Sequence, residues 1–258
     1  MKHLKGKILI IPDIHQCIGF AKKALELVDF DHVVFLGDYF DCFEKPDGWY
    51  AGIKETCKWL NETMDKLGTK ATWLIGNHDL AYMATYRKNV FPNKNTFYSC
   101  SGYTRSKATE INKRIRPDFF TNLELCVNVN GFICSHAGFV YEHFKPMLSE
   151  EENIQALYES WERDKFSFFL APWHWMGQVG LCRGGHDSTG SPVWLDWNVE
   201  FFPVEGIQQI VGHSNYWNDD TTMIKEKNGN FCVDKNRSLV IIVNEDGTIK
   251  KVPIFKSF

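Results

Sequence analysis

No stretch of this 258-residue sequence holds an apolar run near the ~18 residues that a membrane-spanning helix needs. The opening Met1-Lys2-His3-Leu4-Lys5-Gly6 has no apolar segment of the secretory kind and leads straight into a strand pattern. A cytoplasmic protein with no membrane contact is expected. Charge of one sign is also missing. Lys and Arg number 29 against 32 Asp and Glu, a net charge of −3, so bulk electrostatics give no case for nucleic acid or an anionic lipid surface. Paired cysteines are absent as well: Cys17, Cys42, Cys57, Cys100, Cys126, Cys134, Cys182 and Cys232 include no Cys-x-x-Cys. That argues against a zinc ribbon or thioredoxin-type site, and the eight read as free thiols, several of them core fillers. Linkers, internal repeats and low-complexity tracts are lacking too, so 1–258 reads as a single domain with ample length for a buried core. Nothing in the sequence marks an oligomeric state.

What is present is a series of apolar runs, each ending in the same vocabulary. Lys7-Ile8-Leu9-Ile10-Ile11 is continuous, as in a strand buried on both faces. Pro12 ends it and Asp13-Ile14-His15 follows. A helical pattern over about 19–28 leads to a strand from His32 to Leu36, which runs into Gly37-Asp38-Tyr39-Phe40-Asp41. A second helical pattern, about 50–67, is closed by Gly68 as a C-cap. The third strand, 69–75, ends at Gly76-Asn77-His78-Asp79. Further on, Asn130-Gly131 between two apolar segments signals a tight hairpin, whose second arm ends at Ser135-His136-Ala137-Gly138. Ser149 and Glu152 stand in capping-box spacing at the head of a helix over about 149–168. A short strand over 206–211 ends at Gly212-His213, and two hairpins turn at Asn228-Gly229 and Asp246-Gly247. Residues from about 80 to 122 read as a helical and loop cover over one side of the site. Those from about 171 to 206, rich in Trp, Gly and Pro, read as a long ordered loop. Strands alternating with helices imply an α/β layered fold with ligands gathered at the carboxyl ends of the strands.

Five strand ends then stand together: Asp13-x-His15, Gly37-Asp38-x-x-Asp41, Gly76-Asn77-His78-Asp79, His136-Ala137-Gly138 and Gly212-His213. Singly, each is an ordinary capped turn. Jointly they supply carboxylate, imidazole and amide donors without thiolate, a set that suits Mn²⁺, Fe or Zn²⁺ better than Ca²⁺ or Mg²⁺. In this order the motifs resemble those of the calcineurin-like metallophosphoesterases. That superfamily includes the phosphoprotein Ser/Thr phosphatases, the symmetrical diadenosine tetraphosphatases and the lambda-type phage phosphatases. The match runs from Asp13 to His213, across nearly the whole chain.

The resemblance implies a layered α/β sandwich of two mixed β-sheets flanked by helices, with the active site at the strand C-terminal ends. It implies two divalent metal ions, with Mn favoured and Fe or Zn compatible. One would be held by Asp13, His15 and Asp38, the second by Asp38, Asn77, His136 and His213, with Asp38 bridging. A hydroxide shared by the metals would attack phosphorus in line, and His78, oriented by Asp41, would protonate the leaving oxygen. The phosphoprotein members carry Arg directly after the equivalent of Asp41, and this chain has Cys42. A replacement cation is therefore expected, and Arg183, flanked by Gly184 and Gly185, is the candidate for binding substrate phosphate. Gln16 and Asn215 are further departures, and Asp234 resembles a structural Asp. The favoured reading is a phosphoprotein (Ser/Thr) phosphatase hydrolysing phosphomonoesters. The alternative is a hydrolase of diadenosine tetraphosphate or a related nucleotide, and a non-catalytic scaffold is disfavoured because every ligand position carries a competent side chain. The substrate partner is thus a phosphorylated protein or a nucleotide. Trp173, Trp175, Trp194 and Trp197 are read as packing the long loop against the sheet, with base stacking as the less favoured role.

Overall fold

A computed structural model of the chain describes residues 1–42, 44, 47–86, 100–167, 174–215 and 223–255. Trp173 and part of the 80–122 segment lie outside these residues. The described strands form two mixed six-stranded sheets. The first contains β2 (Ile8–Ile11), β3 (His32–Phe35), β4 (Ala71–Leu74), β5 (Leu123–Glu124), β11 (Leu239–Val243) and β12 (Ile249–Pro253), in the order β12-β11-β2-β3-β4-β5. The second contains β1 (His3–Leu4), β6 (Cys126–Val129), β7 (Phe132–Ser135), β8 (Gln208–Val211), β9 (Lys225–Lys227) and β10 (Asn230–Cys232), in the order β1-β6-β7-β8-β10-β9.

The continuous apolar runs explain the layering. Successive side chains of a strand face opposite ways, so Ile8 and Ile10 join Val34, Val127, Cys134, Ile210 and Ile241 between the two sheets. Leu9 and Ile11 join Val33, Phe35 and Trp73 on the outer face. There they pack under the helices α1 (Ile18–Leu27) and α2 (Ile53–Leu67), through residues such as Phe20, Ala24, Trp59 and Leu60. Gly68 closes α2 with φ 50°, as its sequence position suggested. The remaining helices are α3 (Asn77–Tyr86), α4 (Arg105–Arg114) and α5 (Glu150–Asp164). Ser149 caps α5, its hydroxyl accepting from Glu152 N while the Glu152 carboxylate takes Ser149 N at 2.8 Å. Among the described residues no helix is long and apolar enough to cross a membrane.

Register places the strand ends. β2, β3 and β4 run parallel with Ile11 opposite Phe35 and Phe35 opposite Trp73, so the segments carrying Asp13, Asp38 and Asn77 leave one edge together. In the other sheet β7, β8 and β10 are parallel, with Cys134 opposite Ile210 and Val211 opposite Cys232. That brings out His136 and His213 side by side.

The expected hairpin at Asn130-Gly131 is present, with φ 50° and 100°, and it also ties the sheets together. Nδ2 of Asn130 donates to the carbonyls of Gly6 (2.8 Å), Asn244 (2.9 Å) and Val243 (3.3 Å), all flanking strands of the opposite sheet. Asn130→Gly keeps the left-handed turn and deletes these bonds. It should lower unfolding stability by about 1–3 kcal/mol, read as a lower urea midpoint with an unchanged slope; an unmoved midpoint would show that the two sheets do not depend on this side chain.

Candidate active site

The structure brings together all six residues expected to bind metal. Nε2 of His15 lies 3.4 Å from Asp38 Oδ2 and 3.9 Å from Asp13 Oδ2. Nε2 of His136 lies 3.5 Å from Asp38 Oδ2, 3.0 Å from Asn77 Oδ1 and 3.1 Å from His213 Nδ1. Two donor clusters result, each with its ligand atoms within 4.8 Å of one another: His15, Asp38 and His78, and Asp38, His136 and His213. Asp38 belongs to both. Asp13 stands at the rim of each, 3.9 Å from His15 Nε2 and from His136 Nδ1.

Local backbone geometry here is costly. His15, Gln16, Asp38, Asp41 and His213 all have φ between 42° and 66°, the left-handed region that side chains with a Cβ avoid at about 1–3 kcal/mol each. A lattice of hydrogen bonds holds them there. His15 N and Gln16 N donate to the carbonyls of Asp38 (2.6 Å) and Tyr39 (3.1 Å). The buried Asp79 carboxylate takes three backbone N–H groups, from Asp38 (2.8 Å), Tyr39 (2.9 Å) and Gly76 (3.0 Å). Asp13 accepts from His213 N at 3.0 and 3.1 Å, and Gly212 N donates to His136 O at 2.8 Å. Asp79, which its motif alone does not assign a role, joins the ends of β3 and β4.

The tautomers are set by carbonyls, which only accept. Nδ1 of His15 donates to Phe40 O (3.2 Å) and Nδ1 of His136 to Leu36 O (2.8 Å), leaving each Nε2 as a lone-pair donor. Burial favours the neutral rings: it pushes His136 down to about 3 and holds His15 and His213 well below the usual histidine range. Burial likewise raises the carboxyls of Asp13 and Asp38, and for Asp38 the neighbouring Asp13 and Asp79 add to it. His213 Nε2 is buried with no hydrogen-bond partner. Neutral imidazoles, crowded carboxylates and an orphaned ring nitrogen together fit a divalent cation, because buried carboxylates need a counter-charge.

Within the first cluster, His78 Nδ1 meets Asp41 Oδ2 at 3.0 Å, and its ring stands edge-on to His15 with centroids 5.0 Å apart. Asp41 is fully buried, and its Oδ1 is held by the Tyr82 hydroxyl and by Lys107 Nζ at 2.9 Å.

A family model for calcineurin-like phosphoesterases matches residues 6–216. The chain belongs to that family. Among curated proteins, none matches it by sequence. In fold it is similar to a cold-active protein-tyrosine phosphatase of the psychrophile Shewanella sp., at 16% identity and TM-score 0.51, over 97% of this chain and 81% of that one. It is also similar to a protein serine/threonine phosphatase from Saccharomyces cerevisiae, at 11% identity and TM-score 0.51, over 98% of this chain and 81% of that one. The protein is a metal-dependent phosphoester hydrolase.

The cations of this phosphoesterase sit on two sides. Nη2 of Arg183, the expected phosphate-binding residue, contacts Ser214 Oγ and Asp196 Oδ2, both at 2.9 Å. Ser214 follows His213, so Arg183 lies on the His136–His213 side, where its charge helps keep both rings neutral. Its Nε is buried without a partner. On the side of Cys42 the described cations are Arg237 and Lys107, neither of which the sequence motifs mark. Arg237 stands 5.9 Å from the Tyr50 ring, and its charge bears on Cys42, Asp13, His15 and the buried Asp234. The Asn236-Arg237 turn, at φ 46° and 55°, carries no local signal of this placement. Gln16 joins the same side: its side chain accepts from Cys42 N (3.1 Å) and donates to Ala51 O (2.7 Å).

Three glycines permit the convergence. A Cβ on Gly76 would overlap Asp38 Oδ1, one on Gly212 would overlap Asp13 Oδ1, and one on Gly37 would come within 3.1 Å of His136 Nδ1. Gly76 has no left-handed φ, so Gly76→Ala acts through its collision with Asp38, with both the carboxylate Oδ1 and the backbone N. It should weaken Mn²⁺ affinity by roughly 10–100-fold by calorimetric titration, with circular dichroism unchanged. Retained affinity would mean that Asp38 does not bind the cation.

Proposed function

We propose that this phosphoesterase is a phosphoprotein phosphatase hydrolysing phosphomonoesters with two divalent cations, Mn²⁺ favoured. The observation that carries the reading is the sharing of Asp38 by two donor clusters, one of which includes His78 in its pairing with Asp41. Asp13, His15 and Asp38 would hold one cation; Asp38, Asn77, His136 and His213 would hold the other. Cations bound there supply Lewis-acid stabilisation of phosphoryl charge and lower the pKa of water to make a nucleophile near neutral pH.

The chain's own residues supply the rest. His78 donates a proton from Nε2 to the leaving alkoxide, the departure of which is otherwise slow. Asp41 fixes the tautomer by accepting from Nδ1 and stabilises the ring while it is protonated. Arg183 offers positive charge to the equatorial phosphoryl oxygens from the His213 side, and Arg237 does so from the Cys42 side. The glycines at strand ends keep these groups close without intervening side chains.

Support for a protein over a nucleotide comes from two directions. Two of the proteins that this chain resembles in fold are protein phosphatases. The described tryptophans of the long loop are also engaged in packing. Trp197 stacks on Phe201 at 4.3 Å and is buried, Trp175 donates to Ser160 Oγ at 3.2 Å, and Trp194 stands edge-on to His213 at 6.0 Å. Of these, Trp197 is closed to a base by burial and stacking. The test is kcat/KM with Mn²⁺ on a phosphoserine peptide, a phosphotyrosine peptide and diadenosine tetraphosphate, each beside p-nitrophenyl phosphate. A phosphopeptide should exceed the dinucleotide by at least about tenfold, the scale on which a site adapted to one leaving group discriminates against another. Preference for the dinucleotide would replace this reading with the nucleotide hydrolase.

A further inference from the structure

Asp41 is more heavily committed than orienting a histidine requires. Its Oδ2 meets His78 Nδ1 at 3.0 Å, whereas Oδ1 is shared by the Tyr82 hydroxyl and Lys107 Nζ. Lys107 also donates to Gly102 O at 2.8 Å. The turn before α4 descends onto the carboxylate: Gly102 has φ 84°, and a Cβ there would meet Asp41 Cβ at 3.0 Å.

The position of Lys107 in its own helix makes the contact informative. Thr104 caps α4, its hydroxyl accepting from Lys107 N at 3.2 Å, so Lys107 is in the first turn. That turn carries Arg105 and Lys107 and no acidic residue. Cations are unfavourable at a helix N-terminus, where Asp or Glu is the stabilising choice. Local preference is thus overridden, and the buried carboxylate of Asp41 accounts for it.

We propose that Lys107 is a positioning residue for proton donation by His78. Its ammonium fixes Oδ1 and supplies the counter-charge that a fully buried Asp41 needs, which keeps Oδ2 aligned on Nδ1 and the ring aimed through Nε2. The contact also makes catalysis depend on the docking of the 100–107 segment. The inference rests on the general-acid reading of His78 given above.

The experiment compares leaving groups at saturating Mn²⁺, with bound metal counted in every variant. p-Nitrophenolate leaves without a proton, whereas phenolate and serine alkoxide need one. The ratio of kcat on p-nitrophenyl phosphate to kcat on phenyl phosphate is therefore the readout. In His78→Asn it should rise by roughly 10²-fold or more. In Lys107→Met it should rise about tenfold, with the wild-type metal count, and Lys107→Arg, which retains a cation, should bring it back toward wild type. The double variant His78→Asn/Lys107→Met should match His78→Asn alone, because both act on one step. A shifted ratio in His78→Asn with an unmoved ratio in Lys107→Met would overturn the role of Lys107 and leave the acid in place. An unmoved ratio in His78→Asn would overturn both.

Discussion

Everything at this site depends on two carboxylates, Asp13 and Asp38, being held out of water with, among the described residues, no lysine or arginine bonded to them. Asp13 and Asp38 are buried at the edge where two sheets meet, and the groups that face them are imidazoles kept neutral by burial, with carbonyl acceptors fixing the tautomers of His15 and His136. Such an arrangement is unfavourable until cations enter. The side chains that could neutralise the carboxylates directly are kept apart: Arg183 is engaged by Asp196, and Lys107 by Asp41. The fold thereby reserves its central negative charge for exogenous cations, and it places positive charge around the perimeter where phosphoryl oxygens would need it.

Holding that charge is a matter of backbone as much as side chain. Strand ends from both sheets arrive at one edge because the parallel registers are matched, and the left-handed residues turn each chain sharply so that its donor points inward. The Asp79 carboxylate, bonded to three backbone amides, offsets part of the strain, as do the cross-bonds between the loops after β2 and β3. Stability here is given up locally and recovered from the apolar layer between the sheets, where alternate residues of β2, β3, β7 and β11 pack.

The strands were legible because parallel strands buried on both faces read as unbroken apolar runs, and each is stopped by Gly, Pro or Asp. The donor set was legible for the same reason: polar residues stand immediately after those runs, as in Leu36-Gly37-Asp38. α3 was hidden. Every residue from Asn77 to Ala84 is buried, so the helix has no polar face and no amphipathic period to read, and its first turn doubles as the ligand motif. Tyr82 and Lys107 could not be recognised, since their meeting with Asp41 is a tertiary event across 41 and 66 residues of chain. Arg237 escaped notice because a turn arginine after a strand looks like any surface residue. In the described part of the long loop, Glu200 receives Gly190 N (3.2 Å) and Asp196 N (2.8 Å), a tie with no sequence signature.

The claim on which the rest stands is that the Asp38 carboxylate joins two cations. Electron paramagnetic resonance of the protein loaded with two equivalents of Mn²⁺ addresses it directly, because ions sharing a bridging ligand at about 3.5–4 Å are magnetically coupled. The account predicts an exchange-coupled dinuclear signal in the wild type that disappears in Asp38→Asn. Two independent six-line mononuclear signals in the wild type, or a coupled signal that survives Asp38→Asn, would contradict it.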